Sequence, residues 1–252
     1  MLAHSSSTPK TIRHKRWVRV SHGLITLSFF ALTFSGYEIL MVHPRLYWGE
    51  AGNDLTPALV EFPISRNYQH GGWEPTEGFF NTPGSPVSAG RTYEIFNKNG
   101  WGRSLHFLAA WFLVLAGSGY LLAGFFTRHF RKQLWPGIQQ LRGRLLWRDF
   151  TGHFRAQIPS AANSQPYGLL QKCTYLGVIF LLVPLAAITG LAMSPAITAA
   201  YPFLLKIFAG AQSARTIHFA TAVALLLFLV VHVGMVIRSG FKQQMRAMIL
   251  GK

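Results

Sequence analysis

Cysteine and acidic residues are scarce in this 252-residue chain, and each shortage narrows what it can be. Cys173 is the single cysteine, so no disulfide framework can hold a small secreted fold together. Only 8 Asp and Glu stand against 24 Lys and Arg, a formal net charge of +16. That excess invites a nucleic-acid reading, but the bases segregate along the chain instead of forming one patch. Five precede the first apolar stretch (Lys10, Arg13, Lys15, Arg16, Arg19), eight lie between the second and third, and four follow the last. Seven of the 8 acidic residues fall between Glu38 and Glu94. Apolar stretches almost empty of carboxylates also offer few relays for a proton path.

What the chain has in quantity is hydrophobic residues, 50% of the total. They gather at about 20–42, 105–126, 175–193 and 217–237, each about the length needed to cross a bilayer as a helix. The pattern predicts an all-α membrane protein, a four-transmembrane-helix bundle forming one integral-membrane domain over 1–252. Pro184, inside the third span, predicts a kink. The first stretch is longer than a signal-peptide core and lacks a small-x-small cleavage site, so it reads as a retained span. The positive-inside rule puts both termini and the 127–174 loop in the cytoplasm, with a long periplasmic loop at 43–104.

The loops carry patterns of their own. The outer loop holds Tyr47, Trp48, Tyr68 and Trp73 among many prolines and glycines, which favours an ordered docking surface. Thr56-Pro57 and Glu74-Pro75-Thr76-Glu77 look like helix starts. The cytoplasmic loop alternates bases with Phe130, Leu134, Trp135, Leu141, Leu145, Leu146 and Trp147, as a basic helix lying in the head-group plane does. Residues 194–214 form a mostly apolar outer connection with a short interfacial helix.

Four of ten histidines lie in or at the edge of the spans. His218 and His232 are fourteen residues apart, so their rings point roughly 40° apart around one helix and about 21 Å apart along it. Two ligands at two depths suggest two stacked metal cofactors, haems above all. The expected topology then sorts the four into an outer pair, His106 with His218, and an inner pair, His22 with His232. Neutral imidazole is a good iron ligand, and two on one iron suit electron transfer better than oxygen chemistry. No C-x-x-C-H motif is present, so both haems would be b-type, held by coordination and packing alone. The other six, His4, His14, His43, His70, His129 and His153, are expected to be solvated.

Arginines and glycines follow the same scheme. Arg19, Arg103 and Arg215 each stand three residues before a span histidine, and Arg238 lies beyond His232. Arginine binds carboxylates in a bidentate fork, so haem propionates are candidate partners; snorkelling at a span end is the plainer alternative. Gly36, Gly117 and Gly124 sit near the faces of His22 and His106, where a missing side chain would let the other helix's macrocycle approach. Close helix packing is the alternative there.

With these residues the chain resembles the di-haem cytochrome b subunits of the bacterial nickel–iron hydrogenase and formate dehydrogenase type. Those are four-helix bundles with one histidine in each of the first two helices and two, fourteen apart, in the fourth. The segment His43-Pro-Arg-Leu-Tyr-Trp-Gly-Glu-Ala-Gly52, together with Thr189-Gly-Leu-Ala-Met-Ser-Pro195, is similar to the thiosulfate-reductase branch of that family. The resemblance implies a bacterial inner-membrane subunit with two b haems and a periplasmic, molybdopterin-dependent redox partner. It also implies a quinone site near the inner haem, walled by the start of span one and the end of span four. The expected function is electron transfer between that partner and the quinone pool of a respiratory chain. A self-sufficient haem oxidoreductase acting on a small substrate, or a non-redox membrane module, is the alternative.

Overall fold

The computed structural model describes residues 14–42, 44–52, 56–62, 101–136 and 169–251. Long helices dominate: α1 (Arg16–Val42), α2 (Trp101–Phe126), α3 (Leu169–Gly177) continuing into α4 (Val183–Ala192), and α7 (Ala211–Arg238). Between them lie α5 (Pro195–Ala200) and α6 (Phe203–Ile207); after α7, α8 (Phe241–Met245) continues into a π-helical turn, Arg246–Leu250. Four helical stretches are long and apolar enough to cross a membrane. They are Arg16–Leu40, Trp101–Phe126, Leu169–Ala192 and Ala211–Arg238, the all-α membrane fold expected from the sequence.

The helices begin several residues before the apolar runs, because basic residues cap the runs without ending the helix. Arg16, Arg19, Arg103 and Arg215 all lie inside helices whose apolar portions start later. A long aliphatic stem lets a charge extend away from an apolar run while its backbone stays helical. Leu27, Leu115, Phe126 and Val230 are each more than 60% exposed, as suits faces solvated by acyl chains.

Span three is interrupted where Pro184 required it. A π-helical turn, Val178–Leu182, joins α3 to α4 immediately before the proline. Proline lacks an N–H and its ring collides with the carbonyl four residues back, and a widened turn relieves both.

The described chain divides into two compact units. One comprises Met1–Gly23, Gly117–Val183 and Leu227–Lys252; the other comprises Leu24–Ala116 and Pro184–Leu226. Each of the four spans contributes a part to each unit.

In the second unit the segment that follows α1 is strapped onto the N-terminus of α7. Strands β1 (Arg45–Leu46) and β2 (Val60–Glu61) pair antiparallel, and Arg45 and Glu61 lie 3.6 Å apart. The Gly49 carbonyl accepts from the Gln212 and Ser213 amides at 3.0 and 3.2 Å, and the Gly49 amide donates to Ser213 Oγ at 2.6 Å. Thr216 Oγ1 donates to the Tyr47 carbonyl at 2.6 Å. First-turn amides that no helix can satisfy internally thus find partners. Gly210, at φ +116°, is pressed against the Gly49 carbonyl, where a side chain would collide with backbone.

Four loop expectations meet different outcomes. Thr56-Pro57 starts no helix; the Leu59 and Phe62 amides instead donate to the Leu46 and Pro44 carbonyls at 2.8 and 2.9 Å, drawing the segment into the ladder. The 194–214 connection contains two short helices, not one, packed around Ala192, Leu204 and Ala214. The helix start at Glu74 and the amphipathic run beyond Pro136 lie outside the described residues. At the start of that run, Phe130–Leu134 is a π-helical turn with Phe130 and Leu134 buried and Trp135 exposed.

Candidate haem sites

Within the second unit, α2 and α7 bring His106 and His218 together. Their ring centres are 6.1 Å apart and their planes inclined at 62°. In the first unit, α1 and α7 bring His22 and His232 to 6.4 Å, inclined at 45°. Two imidazoles bound on opposite sides of one metal, with bonds of roughly 2 Å each, have ring centres about 6–6.5 Å apart. Both separations fit that geometry, and none of the four rings is fully buried.

Hydrogen bonds decide which nitrogen of the first pair is free. His218 Nδ1 lies 3.0 Å from the Ala186 carbonyl and 3.0 Å from Thr189 Oγ1. The Thr189 hydroxyl donates back to the Leu185 carbonyl at 2.6 Å, so its oxygen accepts from the ring. His106 repeats the arrangement. Its Nδ1 is 3.0 Å from Ser35 Oγ, the Ser35 hydroxyl donates to the Ala31 carbonyl at 2.7 Å, and the Leu32 main chain is also bonded to the ring. A proton on Nδ1 in both rings leaves each Nε2 as the lone-pair donor, the state a metal requires.

Glycine follows each hydroxyl. A Cβ on Gly36 would stand 3.5 Å from His106 Cε1, and one on Gly190 would stand 3.6 Å from His218 Cε1. Ser35-Gly36 and Thr189-Gly190 are thus the same local device on two spans: the hydroxyl holds the imidazole beside a residue whose Cβ, if present, would just touch the ring. The sequence reading missed Ser35, Thr189 and Gly190, and it assigned Gly36 another purpose. Gly36 was expected to clear room for a macrocycle; what approaches it is the His106 ring. Gly124 is corrected similarly, since the Phe130 ring packs directly against it. Among the described residues, nothing lies within 4 Å of where a Cβ on Gly117 would point.

The second pair is held differently. The His232 ring stacks on Phe228, one turn earlier, at 5.5 Å and 26°, and meets the edge of Tyr175 at 6.1 Å. No hydrogen bond to the His232 ring is found among the described residues.

Of the four arginines, Arg19 departs from expectation. Its Nε donates to the Met248 carbonyl at 3.0 Å and its Nη2 to the Ile249 carbonyl, so it clasps the end of the chain. Carbonyls at the end of a helical stretch attract a cation strongly, and sequence spacing gives no hint of partners 229 residues away. Arg103 is exposed, with its guanidinium 6.0 Å from the Phe107 ring. Arg215 is half-buried near Tyr47, and Arg238 is exposed at the end of α7.

His129 is another departure. Its ring sits edge-on to Trp17 at 5.3 Å and to Tyr120 at 6.4 Å, where solvation was expected. Burial pushes its pKa below the ordinary 6.5, and the nearby Lys15 and His14 push the same way. His14, likewise half-buried, is lowered by burial and by Arg19. The Trp17 Nε1–H is buried in this cluster and has no acceptor among the described residues.

Comparison with known proteins agrees with this geometry. Residues 13–251 match the family described as prokaryotic cytochrome b561. A protein of Azospira oryzae described as "putative protein-methionine-sulfoxide reductase subunit YedZ1" is 26% identical over 223 residues, covering 88% of this chain and 89% of the relative. No solved structure matches the chain. With the match spanning nearly its full length and four membrane-crossing helices in place, the chain belongs to the prokaryotic cytochrome b561 family, as an integral-membrane b-type cytochrome of electron transfer.

Proposed function

We propose that the chain is a single-domain di-haem subunit that carries electrons between a quinone on the cytoplasmic side of a bacterial inner membrane and a periplasmic redox partner. The observation that carries this reading is the presence of two imidazole pairs, at 6.1 and 6.4 Å, one in each unit. Haem supplies a reversible one-electron couple. His106 and His218 would hold one haem toward the periplasm; His22 and His232 would hold the other toward the cytoplasm. Arg103, Arg215 and Arg238 are proposed to face propionates, whereas Arg19 is committed elsewhere.

The buried Trp17 N–H supports a quinone site near the second pair. A quinone carbonyl is an acceptor of the size and polarity that this donor lacks. Tyr120 and His129, which flank the indole, offer aromatic walls for a flat ring. In the second unit, the Tyr47–Glu50 strap, bonded to the first turns of α7, supports partner docking: whatever seats on it reaches the helix that carries His218.

The relative's description as a reductase subunit favours a partner that consumes electrons, so flow would run outward from quinol. A molybdopterin-dependent oxidoreductase is the partner class proposed. The test is reduction of the purified cytochrome by a quinol in detergent. Rapid bleaching of the oxidised spectrum is expected, slowed several-fold in Trp17→Phe, which keeps the ring and removes the N–H. A cytochrome that dithionite reduces but no quinol does would refute the quinone reading.

A further inference from the structure

Ser35 and Thr189 do more than fill space between helices. Each hydroxyl spends its proton on the carbonyl four residues back and accepts from a histidine Nδ1 at 3.0 Å. The result is a chain of two hydrogen bonds, imidazole to hydroxyl to carbonyl, in which each bond polarises the next. Both residues are completely buried, at 0% exposure, so water cannot substitute for them. Their positions are equivalent: hydroxyl at i, a main-chain partner at i−3 (Leu32 or Ala186), glycine at i+1.

We infer that Ser35 and Thr189 are positioning residues that tune the His106–His218 haem, lowering its reduction potential through the Nδ1 protons. The inference rests on the two-haem reading above. An acceptor on Nδ1–H pushes electron density toward Nε2 and makes the imidazole a better donor to iron. A better donor favours the ferric over the ferrous state, which moves the potential down. Neither residue touches the metal or carries electrons; each acts through a ring.

The test is a potentiometric titration of the purified protein, followed by visible spectroscopy, with haem content measured alongside. Thr189→Val keeps the shape and removes the hydroxyl; Ser35→Ala does nearly the same. One of the two transitions is expected to move positive, by about three- to tenfold in the oxidised-to-reduced ratio at fixed potential (tenfold being 59 mV for one electron), while the other stays put. Thr189→Ser and Ser35→Thr should restore the original value.

Unchanged transitions in haem-replete Thr189→Val and Ser35→Ala would overturn the inference, as would a shift that the hydroxyl-bearing variants fail to reverse. If Thr189→Val loses one haem and Thr189→Ser keeps both, the hydroxyl is the anchor and the inference stands. Loss from both variants overturns it, because packing and not the hydroxyl is then responsible. A wild-type protein that binds a single haem per chain refutes the two-haem reading itself, a result these variants cannot produce.

Discussion

The two histidine pairs have nearly equal ring separations and unlike surroundings. His106 and His218 are fixed through Nδ1 by buried hydroxyls and main chain on neighbouring spans, with Gly36 and Gly190 beside the rings, where an added Cβ would lie 3.5 and 3.6 Å from Cε1. His232 is fixed by aromatic faces, and its partner His22 remains exposed. Directional bonds set a ring's tautomer and angle; stacking sets its plane and leaves it freer to rotate. The first arrangement holds the ring's electronics constant, and the second leaves the ring freer to adjust. The aromatic cluster of Trp17, Tyr120 and His129, with its unclaimed indole N–H, belongs to the same unit as that second pair.

The contrast breaks most visibly when a ligand is removed. His232→Ala should halve the haem content and leave the hydroxyl-anchored transition intact; His106→Ala should do the reverse. Reduced-minus-oxidised spectra with a haem-to-protein ratio check both.

Next in size is the glycine test. Gly190→Leu or Gly36→Leu would drive a side chain into a ligand ring and should remove one haem. Gly190→Ala should retain both, since 3.6 Å is ordinary van der Waals contact. Loss in the alanine variant would mean that the ring has no slack at all.

Arg19→Ala sharpens the other side of the comparison. It removes two bonds to the Met248 and Ile249 carbonyls, costing about 1 kcal/mol at this partly exposed position. Faster proteolysis of the C-terminal turn, with haem content unchanged, is the expected readout.

The smallest effect is on pH. Because burial lowers His129 and His14 in the folded chain, the unfolded chain binds more protons below 6.5. Stability is therefore complete above that value and declines as pH falls through the folded-state pKa values. Thermal melts of detergent-solubilised protein across acidic pH should show this, and His129→Gln should flatten it.

Four spans and four paired histidines were legible in the sequence, because apolar length and helical spacing are local and periodic. Pro184 announced the interruption that became a π turn. The second layer was not legible for a physical reason: Ser and Thr are common in membrane helices and usually bond back to their own turn, as Ser28 and Thr221 do here. Only the repeated hydroxyl-glycine dipeptide at 35–36 and 189–190 carried a signal, and it required knowing that both spans face a ligand. Arg19 misled because its partners come from the far end of the chain. The strap on α7 was missed because each of its bonds has a main-chain partner and joins segments more than 160 residues apart.

Pairing itself is tested most directly by double variants scored for haem per chain. His22→Ala with His232→Ala should retain one haem, because both changes strike the same site. His22→Ala with His218→Ala should retain none. Equal haem content in the two double variants would contradict the account.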